Sequence, residues 1–272
     1  MDQKLTISHH TNGCSGRHAP VTPAHSTNRH LAYGRIILAY ENPRVSFETG
    51  ERETGLIVLS GATRSRRPGT AFRDVAVRRT VCAAGSKIEM EASGIADAGV
   101  DANVDIAEFS CEVEGTYPVQ FVPYAELAKD STLKFLTGAP GNQRQVSIVL
   151  GKNVHAGRLL LGFTISEPGN WTSWPPHEHA LTLEEMYVCF DMPEPAFGIQ
   201  MVYNETQYPE LVTVVRDGDA VLIPSGYQPN TSVPGHRISF LWALAAHREI
   251  EDRQYGVVNV WPEFAAGLPS PR

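Results

Sequence analysis

The residues best suited to chemistry in this sequence are two histidines and two adjacent glutamates in one short segment. His177 and His179 follow a Pro-Pro pair, and Glu184 and Glu185 stand at the start of the next apolar run. Histidines at positions i and i+2 of a strand point to the same face, which a carboxylate from the following strand can reach. Imidazole nitrogens and a carboxylate are typical ligands of divalent transition metals, so the segment predicts a metal site.

The position where a fourth ligand is expected, in the segment "DGDAVLIPSGYQPN", carries Gln228 and no histidine. Its amide oxygen can coordinate a metal, although a neutral oxygen is a weaker ligand for zinc than an imidazole nitrogen. Three interpretations of Gln228 stay open: a weak ligand, a hydrogen-bond donor to a bound substrate, and an inert replacement in a site that has lost its ion. The expected cofactor is a divalent metal, zinc first, with manganese, iron or nickel as alternatives.

The composition is that of an ordinary soluble protein. Of 272 residues 42% are hydrophobic, and 23 Lys and Arg against 30 Asp and Glu give a formal charge of −7, which argues against nucleic acid or an anionic membrane as a partner. No apolar run reaches the ~18 residues that span a bilayer, and the N-terminus lacks the apolar centre of a signal peptide. Cys14, Cys82, Cys111 and Cys189 form no CxxC pair, so we expect reduced thiols and a cytoplasmic location.

Residues 31 to 120 are organised as short apolar or alternating runs separated by turn residues, such as "LAYGRIILAY", "GLIVLSG" and "DIAEFSCEV". This spacing is typical of antiparallel strands in a sandwich or barrel and not of alternating strands and helices. Residues 1 to 30 hold five of the ten histidines and show almost no apolar periodicity. We expect them to form a mobile arm or a strand added across a neighbour.

A second series of strand-like runs, over residues 146 to 272, follows a break at residues 121 to 145. The break holds one plausible short helix, "PYAELAKDS", and turn residues, and is expected to be a linker. In the second series Asp217-Gly218 predicts a hairpin, because glycine accepts the positive φ that such a turn needs. Weak similarity between "GLIVLSGAT" and "VVRDGDAVLIP" predicts two duplicated β-barrels, of which only the second keeps ligand-type residues.

Four segments resemble the cupin superfamily, in which a small barrel holds a metal on two histidines, a glutamate and a further histidine. They are "RLLLGFTISEPGNWTSWPPHEH", "LEEMYVCFDM", "FGIQMVY" and "VVRDGDAVLIPSGYQP". The likeness is closest to the bicupin 5-deoxy-glucuronate isomerases of bacterial inositol breakdown, which are related to the 4-deoxy-L-threo-5-hexosulose-uronate ketol-isomerases. It is specific over residues 145 to 245 and architectural over residues 31 to 120. The resemblance implies an all-β bicupin of two jelly-roll barrels with few short helices.

The resemblance also implies a ligand set, from which the chain departs at two positions. The family's metal ligands carry over to His177, His179 and Glu185, which is preferred to the adjacent glutamate because "MYVCFDM" runs on from it with the family's length. The family's "GYHP" is "GYQP" here, so Gln228 stands in place of the last histidine. Its "GE" after the "RLL" strand is "GF", so Phe163 stands in place of a carboxylate. Both departures leave the substrate and the reaction type open.

The activity that the resemblance implies is aldose–ketose isomerisation of a deoxy-uronate, such as 5-deoxy-glucuronate or a related sugar acid. A divalent metal would polarise the carbonyl and its neighbouring hydroxyl, and an acid/base group must lie within reach of the moving proton. The candidates for that group are Glu184 and Tyr187. The candidates for contacts with the sugar or its carboxylate are Trp171, Trp174, Gln200, Tyr227 and Arg237.

Two other functions remain as hypotheses. The first is another metal-dependent cupin reaction, such as epimerisation, a lyase reaction or dioxygenation. The second is a sugar-binding cupin without catalysis, for which Gln228 and Phe163 are the motivating residues. The expected partners are a small sugar acid and a second copy of the chain, because two sandwiches with an extended arm often pair through their outer sheets.

Overall fold

A computed structural model of the chain describes residues 7–67, 70–71, 75–76, 78–82, 84–92 and 103–265. Regular structure in these residues is nearly all β-strand, which confirms the all-β prediction. The strands are β1 (Ile7–Ser8), β2 (Gly16–Val21), β3 (Ala32–Ala39), β4 (Arg44–Glu48), β5 (Arg52–Ser60), β6 (Ala62–Arg67), β7 (Thr70–Ala71), β8 (Val75–Ala76), β9 (Arg78–Cys82), β10 (Lys87–Ala92), β11 (Asn103–Glu112), β12 (Gln120–Pro123), β13 (Lys134–Thr137), β14 (Arg144–Leu150), β15 (Leu159–Ser166), β16 (Trp171–Thr172), β17 (His177–Glu178), β18 (Leu183–Cys189), β19 (Gly198–Val202), β20 (Leu211–Val215), β21 (Ala220–Ile223), β22 (Asn230–Ser232), β23 (Ser239–Ala246) and β24 (Asn259–Val260). The helices are a 3-10 turn (Pro23–His25), α1 (Tyr124–Leu127) and α2 (Pro262–Ala265). No helix among the described residues is long and apolar enough to cross a membrane.

The C-terminal half is a sandwich of antiparallel sheets around one hydrophobic core. Its larger sheet has the order β1-β21-β18-β23-β15-β14-β13, and the smaller sheet has the order β16-β22-β19-β20. The short strand β17 pairs with β24. The core between the sheets includes Leu160, Tyr187, Val202 and Trp242. Because side chains alternate along a strand, β18 directs every second residue into this core.

The N-terminal half repeats the architecture. A six-stranded sheet has the order β12-β9-β5-β11-β3-β2, and it faces a sheet with the order β4-β10-β6-β7, in which β8 also pairs with β6. Ile36, Leu56 and Ile106 of the first sheet pack against Ile88 and Met90 of the second. The chain therefore forms two sandwiches, each with a core of its own.

The two sandwiches pack back to back through their larger sheets. The core between them includes Tyr33 and Phe109 from the N-terminal half and Leu161, Met186 and Leu241 from the C-terminal half. Both faces of the larger sheets are consequently buried. This double burial explains why the central strands β15 and β23 are almost continuously apolar in the sequence.

Two buried glutamates join the sandwiches in a reciprocal manner. Glu53 and Glu184 each accept hydrogen bonds from three consecutive backbone N–H groups of the opposite half. The donors to Glu53 are Gly157, Arg158 and Leu159, at 2.7, 2.6 and 2.6 Å. The donors to Glu184 are Arg29, His30 and Leu31, at 2.7, 2.8 and 2.6 Å. In both cases the donors lead into a strand of the larger sheet, β15 for Glu53 and β3 for Glu184. The same arrangement in both halves is expected of a duplicated fold.

Over its described residues the N-terminal segment is not a free arm, which corrects the expectation for residues 1 to 30. Strand β1 extends the seven-stranded sheet beside β21, and β2 extends the six-stranded sheet beside β3. Between them, the N–H and hydroxyl of Thr11 donate to the carbonyl of Gly218, at 2.9 and 2.6 Å. Edge strands are held by main-chain hydrogen bonds, which require no apolar pattern. Residues 1–6 lie outside the described residues.

The segment expected to be a linker, residues 121 to 145, is partly regular. The predicted short helix is confirmed as α1, over Tyr124–Leu127. Strand β13 pairs with β14 and thereby belongs to the C-terminal sheet. The hydrophobic side chain of Leu127 is buried in the core between the sandwiches, so this connection packs against the structure that it joins.

The turn at Asp217-Gly218 has the predicted backbone conformation but not the predicted role. Gly218 has a φ of +79°. However, β20 pairs with β19 in the smaller sheet, while β21 pairs with β18 and β1 in the larger sheet. The hairpin prediction is wrong because the chain crosses from one sheet to the other at this turn. Local sequence specifies the tight turn, and the packing of the two sheets decides which strands pair.

Candidate metal centre and active site

His177 and His179 are oriented so that both Nε2 atoms are available as ligands. The Nδ1 atom of His177 lies 2.8 Å from the carbonyl oxygen of Pro175, and that of His179 lies 3.3 Å from the carbonyl oxygen of Val257. Nδ1 must donate in both contacts, which leaves a lone pair on Nε2. The two rings are perpendicular, with centroids 5.3 Å apart. Backbone carbonyls holding Nδ1–H are the usual support of histidine ligands.

Glu185 meets this pair from strand β18. It is 5% exposed, and its Oε2 atom lies 3.6 Å from Nε2 of His179. Its position on the inner face follows from strand alternation, since Tyr187 two residues later lies in the same core. Gln228, which is 1% exposed, donates a hydrogen bond from Nε2 to the same carboxylate oxygen at 2.7 Å. The structure thus brings together the carboxylate, one imidazole and the amide that the sequence analysis named.

The donor set fits a divalent metal ion. Two ligands of one tetrahedral ion with bonds of about 2.1 Å lie about 3.4 Å apart, close to the 3.6 Å between His179 Nε2 and Glu185 Oε2. The Oε1 atom of Gln228 is buried without a hydrogen-bond partner, and a buried acceptor of this kind needs a donor or a cation. Across the described residues no three His, Cys, Asp or Glu side chains form a metal-type group. His177 is therefore not brought into one group with His179 and Glu185, and the amide of Gln228 is the third donor beside them.

Burial acts in opposite directions on the imidazoles and the carboxyl group. It lowers the pKa of His177, and together with the neighbouring His177 it lowers the pKa of His179 to about 3. Burial raises the pKa of Glu185 to about 8, although hydrogen bonds from Gln228 and Tyr187 favour the charged form. At neutral pH both imidazoles are therefore neutral and able to bind a metal. A cation would displace the proton of Glu185.

Metal-free protein is expected to lose stability between pH 6.5 and pH 8 because of Glu185. Its folded pKa of about 8 exceeds its ordinary value of 4.5, so its contribution to stability is complete at low pH and is lost as the pH rises to 8. The slope is about 1.4 kcal/mol per pH unit. The histidines, whose pKa values are lowered, are neutral in both states above their ordinary pKa of 6.5 and add no slope.

The measurement is urea unfolding of chelator-treated wild type and Glu185→Gln at several pH values. Between pH 6.5 and pH 8 the wild type should lose about 2 kcal/mol relative to the variant, which has no carboxyl to titrate. Parallel curves for the two proteins would show that the carboxyl group of Glu185 is not perturbed.

Tyr187 lies on the same inner face of β18. It is 3% exposed, and its hydroxyl lies 2.8 Å from that of Ser173. Its ring packs on Phe240 with the centroids 4.4 Å apart. Burial, reinforced by the nearby charge of Glu185, raises the pKa of Tyr187 well above its ordinary value. The phenol is therefore protonated at neutral pH and available as a hydrogen-bond donor.

Glu184, the other acid/base candidate, faces away from this cluster. It is 1% exposed and lies on the opposite face of β18 from Glu185, in the contact between the sandwiches. Three backbone N–H groups occupy its carboxylate. This arrangement gives Glu184 a structural role and no access to a substrate in the C-terminal sandwich.

The aromatic candidates lie in two groups, and the C-terminal segment contributes to each group one residue that no sequence pattern indicated. Trp171 and Trp174 have ring centroids 5.5 Å apart, and Phe264 of α2 contacts Trp174 at 4.9 Å. Tyr227 packs edge-on against Trp261, with centroids 4.8 Å apart. Trp261 and Phe264 follow the last long strand without any periodic pattern. The pairing of β24 with β17 brings this segment against the aromatic candidates.

Three residues singled out in the sequence have surroundings that do not match a substrate contact or an active-site position: Gln200, Arg237 and Phe163. The amide of Gln200 is occupied by the Met201 and Gln228 carbonyls and by Asn230. Arg237 has a side chain that is 56% exposed and lies 3.6 Å from Glu167. Phe163 is buried in the core between the sandwiches, so the carboxylate that it replaces in the resemblance does not fall inside the sandwich that holds Glu185.

The fold and the site together define a class. Two antiparallel sandwiches packed back to back, with two histidines and a glutamate in one of them, are compatible with the all-β bicupin architecture that the sequence resemblance implies. The structure superimposes on that of an IolB-like protein from Salmonella typhimurium LT2 with a TM-score of 0.80 and 20% identity, covering 96% of this chain and 98% of the other. At that level of identity the likeness describes the fold.

The sequence comparison identifies the family. The model of the KduI/IolB family matches residues 6–257, and the chain therefore belongs to that family. It is 26% identical over 251 residues to a 5-deoxy-glucuronate isomerase of Geobacillus kaustophilus, with 89% of each chain covered. It is 35% identical over 108 residues to a 4-deoxy-L-threo-5-hexosulose-uronate ketol-isomerase of Caldicellulosiruptor bescii, with 39% of this chain and 36% of the relative covered.

Proposed function

We propose that the protein is a metal-dependent isomerase that interconverts the aldose and ketose forms of a deoxy-uronate such as 5-deoxy-glucuronate. Membership of the KduI/IolB family and the isomerase names of its relatives support the reaction class. The observation that carries the metal dependence is the convergence of His179 Nε2, the Glu185 carboxylate and the amide of Gln228, with the ring of His177 against that of His179. Zinc is the first candidate ion, and manganese, iron and nickel are the alternatives.

The reaction moves a proton between two adjacent carbons while a carbonyl becomes a hydroxyl and its neighbour becomes a carbonyl. A divalent ion held by His177, His179, Glu185 and Gln228 would supply a Lewis acid for the two oxygens concerned. The carbonyl contacts of both imidazoles fix the direction of their Nε2 atoms. Gln228 holds the Glu185 carboxylate in place through its N–H. The protein's task at this site is thus to present preoriented donors.

Tyr187 is the acid that this geometry supports. Its hydroxyl lies 2.8 Å from that of Ser173 and also hydrogen-bonds Glu185, so in this proposal it would donate to a substrate oxygen held beside Glu185. Because its pKa is raised by burial, the phenol keeps its proton at neutral pH and is unsuited to abstract one. Its contribution is therefore hydrogen-bond donation, or transfer of its proton, to the oxygen that gains negative charge.

Tyr187→Phe is expected to lower kcat by about 100-fold, the usual loss when one donor to a developing oxyanion is removed. KM and metal content should change little, because the phenol holds neither the proposed ion nor the resting substrate. Ser173→Ala, which removes only the hydroxyl's support, should have a smaller effect. A Tyr187→Phe enzyme with wild-type kcat would remove Tyr187 from the mechanism.

Gln228→His is expected to raise metal affinity by about tenfold or more, because imidazole nitrogen binds zinc and its neighbours more strongly than an amide oxygen. The measurement is competition with a chelator of known affinity. Gln228→Leu, which removes both amide atoms, should lower the affinity. If both variants bind metal as the wild type does, Gln228 is not a ligand, and its role is to position Glu185 or a substrate.

The proposed function is tested by product identification. Metal-replete protein is incubated with 5-deoxy-glucuronate in D2O, and proton NMR follows the appearance of the ketose and of deuterium at the carbon that receives the proton. A ketose of unchanged mass or with one deuterium supports isomerisation. An epimer, an eliminated product or consumption of oxygen would assign another metal-dependent reaction. Binding without any product would identify a sugar-binding protein.

A further inference from the structure

Arg144 is a largely buried cation without a carboxylate partner. It lies two residues before Val146, which belongs to the core of the C-terminal sandwich, so strand alternation directs Arg144 inward as well. Two of its N–H groups donate to the carbonyls of Asn142 and Trp174, at 2.9 and 2.7 Å. Among the residues that the structure describes, no carboxylate oxygen lies within 4.0 Å of the guanidinium. Buried charges are normally paired, so this position is unusual.

The guanidinium lies beside the segment that carries His177. Burial lowers the pKa of Arg144 itself. Tyr187 and Tyr255 are close enough to favour its charged form. Its hydrogen bond to Trp174 also fixes it to the turn that leads into His177. Arg144 therefore faces the interior of the same sandwich as the proposed metal ligands, but it does so from a different strand, β14.

The same arginine opens onto a cavity. The cavity has a volume of about 460 Å³, and its polar lining consists of Thr137, Gln143, Arg144 and Glu167. Leu136, Gly138 and Pro168 complete the lining, and none of the proposed metal ligands belongs to it. The Glu167 carboxylate lies 3.6 Å from the exposed Arg237 and is not within ion-pair distance of Arg144. A small anion can consequently approach Arg144 without displacing an existing salt bridge.

We propose that Arg144 binds the carboxylate of the sugar acid, an inference that rests on the proposed function. A guanidinium has five N–H donors, of which two are used here, and it recognises a carboxylate through paired hydrogen bonds. In a six-carbon uronate the carboxylate and the carbonyl end lie at opposite ends of the chain. A partner for the carboxylate must therefore lie apart from the metal ligands but inside the same sandwich, which is where Arg144 lies. The structure thus selects Arg144 over the exposed Arg237.

Calorimetric titration of the metal-replete protein tests this assignment. The probes are D-glucuronate and D-glucose, which differ in having a carboxylate or a hydroxymethyl group at the last carbon. Arg144→Gln should lower the affinity for D-glucuronate at least about tenfold, the usual loss for a hydrogen bond to a charged group. Its affinity for D-glucose and its metal content should stay at wild-type values. Arg144→Lys should recover part of the loss, and Arg216→Gln, at an exposed position on β20's C-terminal side, should behave as wild type.

Three outcomes would overturn the assignment: equal D-glucuronate affinity in Arg144→Gln and wild type, an equal loss for both probes, or a selective loss in Arg237→Gln instead. An equal loss for both probes would show that Arg144 only supports Trp174. Failure of the proposed function has a different signature. A protein that prefers D-glucuronate through Arg144 but converts no uronate would retain this inference and lose the proposed function, whereas turnover with an unaffected Arg144→Gln would do the reverse.

Discussion

Replacing His177 or His179 by alanine is expected to lower divalent-metal affinity more than 100-fold and to abolish turnover. Zinc bound by four protein ligands contributes roughly 10–16 kcal/mol, so each ligand accounts for about 3 kcal/mol, which is more than a factor of 100. The loss should be severe here because Gln228 is already a weak donor. With one imidazole removed, the remaining set is a single imidazole, a carboxylate and an amide.

The measurement is elemental analysis of protein purified without added metal, followed by chelator competition. His155→Ala is the matched control, since His155 is an exposed histidine of the same half of the chain. Near-stoichiometric metal in wild type and control, with little in either ligand variant, would establish the site and identify the ion. Full occupancy in His177→Ala and His179→Ala would place the metal elsewhere. Retained turnover in both variants would end the metal-dependent mechanism.

Replacing Glu184 by alanine is expected to cost about 3–5 kcal/mol in the free energy of unfolding, because it removes the acceptor of three hydrogen bonds at once. The carboxylate accepts hydrogen bonds from Arg29, His30 and Leu31 at the contact between the sandwiches. Without it, three N–H donors lose their partner, and each unpaired buried donor costs about 1–3 kcal/mol before relaxation. Glu184→Gln keeps the shape and one acceptor oxygen, so its loss should be smaller.

Glu53 provides a matched comparison for this prediction, because it accepts three backbone hydrogen bonds of the same kind across the contact between the sandwiches. Glu53→Ala should show a similar loss of stability, measured by urea unfolding. Folded Glu184→Gln should keep the kcat of wild type. A Glu184→Gln enzyme with normal stability and a kcat lowered by orders of magnitude would instead restore the acid/base role that the sequence suggested.

The contrast between Glu184 and Glu185 shows what sequence patterns can and cannot predict about the site. Strand alternation places adjacent residues on opposite faces, but it does not say which face is the interior of a sandwich. The preference for Glu185 rested on a resemblance, and the structure gives its reason: Tyr187 continues the inner face, while Met186 packs between the sandwiches. A strand that is buried on both faces has no polar side in its sequence, so the pattern alone cannot decide which glutamate faces the interior of the sandwich.

Arg144, Trp261 and Phe264 show the complementary limit. Each belongs to a segment without a motif, and each contacts a candidate residue that is far away in the chain: Arg144 and Phe264 contact Trp174, and Trp261 contacts Tyr227. In the sequence Arg144 looks like an ordinary charged residue at the end of a strand. Its significance lies in the missing counter-charge, which only the folded surroundings reveal. The ordered N-terminal segment was missed for a related reason, because edge strands are recruited by main-chain hydrogen bonds.

The sequence by itself determined the all-β class, most strands of both halves, the short helix α1, and the candidate residues of the site: two histidines, a pair of adjacent glutamates and a glutamine. These follow from local periodicity, turn residues and ligand spacing, which are properties of short segments. The tertiary structure alone decided which glutamate faces the histidines, which strands flank the turn at Gly218, and that Arg144 is an unpaired cation in the same interior. Those features depend on which sheet faces are buried and on long-range hydrogen bonding, and neither is encoded in neighbouring residues.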